Sequence, residues 1–96
     1  MAMLEAKRWY VYLLECKDGS IYTGIAVDVA ARFAAHCAGK GARYTRSHPP
    51  LRILASEAFD DQAAALRAEI RIKKMRTKAK WIYVNKLRDA APGNAK

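Results

Sequence analysis

The sequence predicts a single α/β domain of the α+β kind, in which an N-terminal β-hairpin is followed by helices and a third strand. Three observations carry that reading. Residues 9–16 and 21–25 are two runs of β-branched, aromatic and aliphatic residues flanking an Asp18-Gly19 turn signal. Two alanine-rich stretches begin at aspartates suited to capping helices, at Asp28 and at Asp60 or Asp61. The chain has 96 residues, enough for one modest core and too few for two.

Loop length decides what the hairpin displays. A two-residue Asp18-Gly19 loop would set Tyr12 opposite Ile25 and turn Tyr12 and Tyr22 to opposite sides. A three-residue Lys17-Asp18-Gly19 loop, with Gly19 left-handed, pairs Tyr12 with Gly24 and Leu14 with Tyr22. We expect the second register. One face then carries Tyr10, Tyr12, Leu14, Tyr22 and Gly24, and the other carries Val11, Leu13, Ile21, Thr23 and Ile25. The second face reads as core. The first is a tyrosine cluster beside Gly24, where a ligand could approach the backbone.

Residues 27–37 read as a helix with Asp28 as N-cap and Gly39 placed to end it. Arg32 and His36, four apart, share one face of it. Residues 40–52 hold Gly41 and Pro49-Pro50 and are expected to form a loop. Its cations Lys40, Arg43, Arg46 and Arg52 interleave with Tyr44, Thr45 and Ser47, a composition suited to phosphate contact with aromatic stacking. A third strand over residues 51–59 alternates less cleanly. A helix then runs to Met75, in which Glu69 borders an apolar stripe through Leu66 and Ile72. An ionised carboxylate there needs a partner, and an i,i+4 pair with Lys73 or a bound metal would supply one. Thr77 is placed to cap a last helix through Leu87. Residues 1–7 form an N-terminal extension, 8–88 the domain, and 89–96 a disordered tail.

Eighteen Lys and Arg against nine Asp and Glu give a net charge of +9 and a pI near 9.9, which draws the chain to polyanions. No apolar run approaches the roughly 20 residues of a membrane helix, and no signal-peptide core precedes the hairpin. Cys16 and Cys37 have neither metal-ligand nor disulfide-framework spacing, so a cytoplasmic location is expected.

Tyr10-Val11-Tyr12 and, after nine intervening residues, Tyr22-Thr23-Gly24 resemble the two half-motifs of the GIY-YIG nuclease domain, with Tyr10, Val11 and Thr23 replacing motif residues. Arg32 and His36 fall where that family has an Arg and a His or Tyr. Glu69, in its Leu-x-x-Glu-x-x-Ile-Lys-Lys context, matches the family's metal glutamate, and Gly39-Lys40-Gly41-Ala42 followed by Tyr44-Thr45 is similar to a segment of the small stand-alone members. The resemblance covers about residues 8–87. It implies a three-stranded antiparallel sheet flanked by helices and hydrolysis of DNA phosphodiesters, in repair or processing, with one Mg²⁺ or Mn²⁺ on Glu69. It implies that Tyr12 or Tyr22 takes the attacking water's proton, which requires a depressed tyrosine pKa. His36 would be proton acceptor or phosphate donor, and Arg32 would stabilise phosphoryl charge. Gly24, Lys40, Arg43, Tyr44 and Arg46 would contact nucleic acid. The expected partner is DNA, met by a monomer with low sequence specificity, with a protein that delivers it as a further expected partner. The alternative is a non-catalytic nucleic-acid-binding module of the same fold.

Overall fold

In a computed structural model the described residues are 8–90. The order is β1 (Trp9–Cys16), β2 (Ile21–Ala26), α1 (Val29–Cys37), α2 (Arg43–Ser47), β3 (Pro50–Phe59), α3 (Gln62–Lys73) and α4 (Thr77–Ala90). The three strands form one antiparallel sheet in the order β2-β1-β3, so β1 is central and β2 is an edge. The expected extension 1–7 and residues 91–96 of the expected tail lie outside the described residues; Asp89 and Ala90 belong to α4.

The hairpin closes as the three-residue loop requires. Tyr12 pairs with Gly24 and Leu14 with Tyr22, and Gly19 has φ 89°. The Cys16 amide bonds the Ser20 carbonyl at 2.9 Å, and Asp18 accepts from the Ser20 amide at 3.0 Å. β3 alternates poorly because the β1–β3 register shifts between Leu13 and Leu14 and again between Glu15 and Cys16.

Helices lie on both faces of the sheet, which is why Val11, Tyr12, Leu13 and Leu14 are buried in succession. On one face Val11, Leu13, Ile21 and Leu54 meet Ala65, Ala68 and Ile72 of α3 and Val84 of α4. The alanines let α3 approach the sheet closely. Each large aliphatic side chain buried there contributes about 1.5–3 kcal/mol. On the other face Tyr12, Leu14 and Ala26 meet Val29 and Phe33 of α1.

Several expectations change. Residues 40–52 are not a continuous loop: Arg43–Ser47 forms α2, and Pro50 opens β3, where a strand tolerates proline. Arg52 is therefore a strand residue, its guanidinium donating to Glu15 at 2.7 Å. Leu66 is exposed, and the buried stripe of α3 is Ala65, Ala68 and Ile72. Asp61 is the residue that caps α3, accepting from the Ala64 amide at 2.8 Å. Thr77 lies inside α4, whose first described bond runs from the Lys80 amide to the Arg76 carbonyl at 3.0 Å.

Candidate active site

The hairpin register sets Tyr12 and Tyr22 side by side on the α1 face, with ring centroids 6.2 Å apart. Tyr12 is 1% exposed, while Tyr22 is half-buried at the rim. Gly24 does not serve the role expected of it. It is buried, and a side chain there would meet the Tyr12 hydroxyl at 2.5 Å, so its missing side chain makes room for the tyrosine ring and not for a ligand.

Helix α1 begins at Asp28, whose carboxylate accepts from the Ala31 amide at 3.0 Å, and this phase carries His36 inward. His36 is 2% exposed. The Tyr12 hydroxyl lies 2.8 Å from Nε2, and Thr45 Oγ1 lies 2.7 Å from Nδ1. The Thr45 hydroxyl in turn donates to the Ala42 carbonyl at 3.0 Å. One proton order satisfies all three contacts. Thr45 spends its proton on Ala42, His36 Nδ1–H donates to Thr45, and the bare Nε2 accepts from Tyr12. The Ala42 amide also donates toward Nδ1, at 3.4 Å, and this order gives up that longer contact. Gly41 lies flat under the imidazole, and any Cβ there would collide with Nδ1.

Burial, above all, raises the Tyr12 pKa well beyond the usual tyrosine range; Tyr22 and Glu69 add to the rise, and Arg32 opposes it. Tyr12 is thus a phenol at neutral pH and does not meet the requirement of a depressed pKa. His36 is shifted down, first by burial and then by Arg32, so its imidazole is neutral at pH 7. Arg32 is exposed on α1, and Glu69 is on α3 across the sheet, yet the charges of both act at the Tyr12 hydroxyl.

Beyond Tyr22 the aromatic contact continues outward. Tyr22 stacks with Tyr44 at 5.8 Å and Tyr44 with His48 at 4.0 Å, the latter nearly parallel. His48 also faces Asp18 at 3.7 Å. Lys40, Arg43, Tyr44 and Arg46 are exposed. Thr45 is not: it turns inward to His36 and offers nothing to a phosphate.

The Glu69 side chain is 13% exposed and pairs with Lys73 at 3.3 Å. Among the described residues no three His, Cys, Asp or Glu side chains cluster to hold a metal. A single, largely buried carboxylate fits a hard cation that keeps most of its coordination for water and phosphate oxygens, such as Mg²⁺ or Mn²⁺. It does not fit a caged zinc.

The family model described as the GIY-YIG catalytic domain matches residues 8–83. The chain belongs to the GIY-YIG family. A UPF0213 protein of Cupriavidus pinatubonensis is 56% identical over 81 residues, covering 84% of this chain and 90% of that one. Another from Streptococcus agalactiae is 47% identical over 75 residues, covering 78% and 85%. Among solved structures, the solution structure of a UPF0213 protein from Bacillus halodurans has TM-score 0.52 at 45% identity, covering 81% and 83%. One of a protein from E. faecalis has TM-score 0.61 at 31% identity, covering 98% and 100%. Of the GIY-YIG positions in this chain, Tyr12, Tyr22 and His36 are in mutual contact. Arg32 and Glu69 shift the Tyr12 pKa in opposite directions through their charge. Sequence reasoning missed Gly41 and Thr45 as the support of His36, because the five-residue and nine-residue separations from His36 follow no helical or strand period.

Proposed function

We propose that this GIY-YIG domain is a divalent-metal-dependent endonuclease that hydrolyses DNA phosphodiester bonds in repair or processing, with low sequence specificity. The observation that carries the reading is the buried Tyr12–His36–Thr45 chain. Burying a phenol, an imidazole and a hydroxyl in one line is costly unless each is satisfied, and here each is. The line ends at the hydroxyl on which Arg32 and Glu69 act.

Glu69 would hold the Mg²⁺ or Mn²⁺, which when bound would supply Lewis-acid stabilisation of phosphoryl oxygen charge. Arg32 binds the phosphoryl group from the α1 side through its planar fork. Tyr22, at the rim, orients the attacking water. Tyr12 gives its proton to His36 Nε2 as it takes one from the water side, so it never rests as a phenolate. His36, already neutral, is the final acceptor, and Thr45 keeps Nδ1–H in place while the imidazolium forms. Lys40, Arg43 and Arg46 contact phosphates, which carry no base code, and this underlies the low specificity.

The test is nicking of a panel of DNA structures in Mg²⁺ and Mn²⁺, with binding measured in parallel under chelator. Glu69→Ala should fold and bind but lose cleavage by several orders of magnitude, since a metal clamp is worth several kcal/mol at the transition state. Arg32→Ala should lose both cleavage and some binding. The Glu69–Lys73 pair favours a second reading, a binding module in which the carboxylate is structural. Wild-type protein that cuts nothing, or Glu69→Ala that cuts normally, would replace the first reading by the second.

A further inference from the structure

Outside the edge strand β2 lies a cleft of about 330 Å³ walled by Ile21, Tyr22, Thr23, Tyr44, Lys73 and Lys80. Lys80 has no role in the site described so far, and Lys73 enters it only as the partner of Glu69. Lys80, in the first turn of α4, lays its ammonium over β2 and donates to the Ile21 carbonyl at 3.3 Å. A single carbonyl does not neutralise it. Its pKa is lowered by burial and, secondarily, by Lys73. Lys73 lines the same cleft from α3, and its ion pair is with Glu69. Thr23, 2% exposed, supplies the third feature: its Oγ1 is a buried polar atom with no hydrogen-bond partner among the described residues. Glu69 already answers Lys73, so the groups around the cavity that an anion would satisfy are the Lys80 ammonium, with one carbonyl partner, and the orphan Thr23 hydroxyl.

We propose that this cleft seats a backbone phosphate of the nucleic-acid strand between Lys73 and Lys80, with the Thr23 hydroxyl turned toward it. It is a subsite separate from the phosphate at Arg32 and Glu69. The proposal rests on the nuclease reading for the identity of the strand; the anion site stands on the cleft. Lys73 and Lys80 are then positioning residues. They hold a neighbouring phosphate equally in ground and transition states, and so act on KM more than on kcat. A competing role for Lys80 is that of a tether that shields the edge strand from pairing with another chain.

The test uses the full chain, a short fluorescent oligodeoxynucleotide under chelator, and binding measured across a salt series. Lys80→Met and Lys73→Met should each weaken binding about tenfold at low salt and flatten the slope of log K against log salt by about one unit. Lys80→Arg should keep both. Lys73 is half-exposed, so its variant reports on binding even if Lys80→Met lowers stability. In Mg²⁺, Lys80→Met should raise KM with kcat within about twofold of wild type, while Lys73→Met, which also strips Glu69 of its ion pair, is read by binding alone. An unchanged salt slope in both neutral variants overturns the proposal, as does a Lys80→Arg protein as weak as Lys80→Met, which is the tether's signature. Lys80-dependent binding by a wild type that cleaves nothing would leave this site standing and remove the nuclease reading. Cleavage whose KM ignores Lys80 would do the reverse.

Discussion

Replacing Thr45 by valine tests the support of His36 more directly than any change at the histidine itself. Valine matches threonine in shape and keeps the buried methyl contacts, so the perturbation is the loss of one hydroxyl. His36 Nδ1, at 2.7 Å from that hydroxyl and on a residue 2% exposed, is left facing a methyl group. The Ala42 carbonyl loses its 3.0 Å donor but still accepts from the Arg46 amide at 3.3 Å. The stranded group is therefore the imidazole. Leaving a buried donor unsatisfied costs about 1–3 kcal/mol. In a domain of this size each kcal/mol lowers Tm by about 4–8 °C, so a fall of at least about 4 °C is expected by calorimetry. The second readout is chemical. Long-range ¹H–¹⁵N spectra of wild type should show the Nδ1–H tautomer of His36, and the valine variant should lose that preference. Thr45→Ser keeps the hydroxyl and should keep the tautomer. A valine variant as stable as wild type with an unchanged tautomer would refute the proton order. So would a serine variant that loses the tautomer as fully as valine does.

The remaining expectations concern charge and pH. Arg43→Ala and Arg46→Ala should weaken DNA binding uniformly across sequences and flatten the salt dependence by about one unit each, read by fluorescence titration; an unchanged slope would move the phosphate contacts away from α2. His36 has a folded pKa below its unfolded value of about 6.5, so the unfolded chain binds the proton first, and stability should fall as pH drops from about 6.5 toward the lowered value. Tyr12 is shifted the opposite way, so its contribution is intact below pH about 10 and is lost as the unfolded chain ionises above it. Denaturant midpoints measured from pH 5 to 11 check both limbs, and a flat profile between pH 5 and 7 would contradict a buried neutral His36.

The hairpin was legible because its information is local. An Asp-Gly turn, a period of two and a loop length suffice to put Tyr12 opposite Gly24, and the coordinates agree. The Asp28 cap was legible for the same reason, and the second cap to within one residue, Asp60 or Asp61, of which the structure uses Asp61. Thr45 was not. Among cations and beside a tyrosine it reads as a phosphate contact, and only the packing of α2 on α1 reveals that its hydroxyl belongs to His36. Gly24 failed differently. The absence of a side chain marks a close approach, but the sequence does not say which partner approaches, and here it is a tyrosine of the same chain. Nothing in the sequence joins Lys80 to Thr23, since they meet only because β2 is left at the edge of the sheet.

That edge explains how helices on opposite faces can serve one site. Arg32 and His36 come from α1 on one face, while Glu69, Lys73 and Lys80 come from α3 and α4 on the other. A site in the middle of the sheet could not join them, because β1 is buried on both faces. At β2 the sheet stops, and Tyr22 and Tyr44 there line one cleft with Lys73 of α3 and Lys80 of α4. An exposed edge is a liability, because unpaired backbone groups invite another strand. Here Lys80 covers the Ile21 carbonyl with a positive charge, which deters a second chain and attracts a polyanion. The net charge of +9 then has a direction as well as a size. On the proposed function, it would bring a phosphate backbone to the edge where Tyr22 and Tyr44 share a cleft with Lys73 and Lys80.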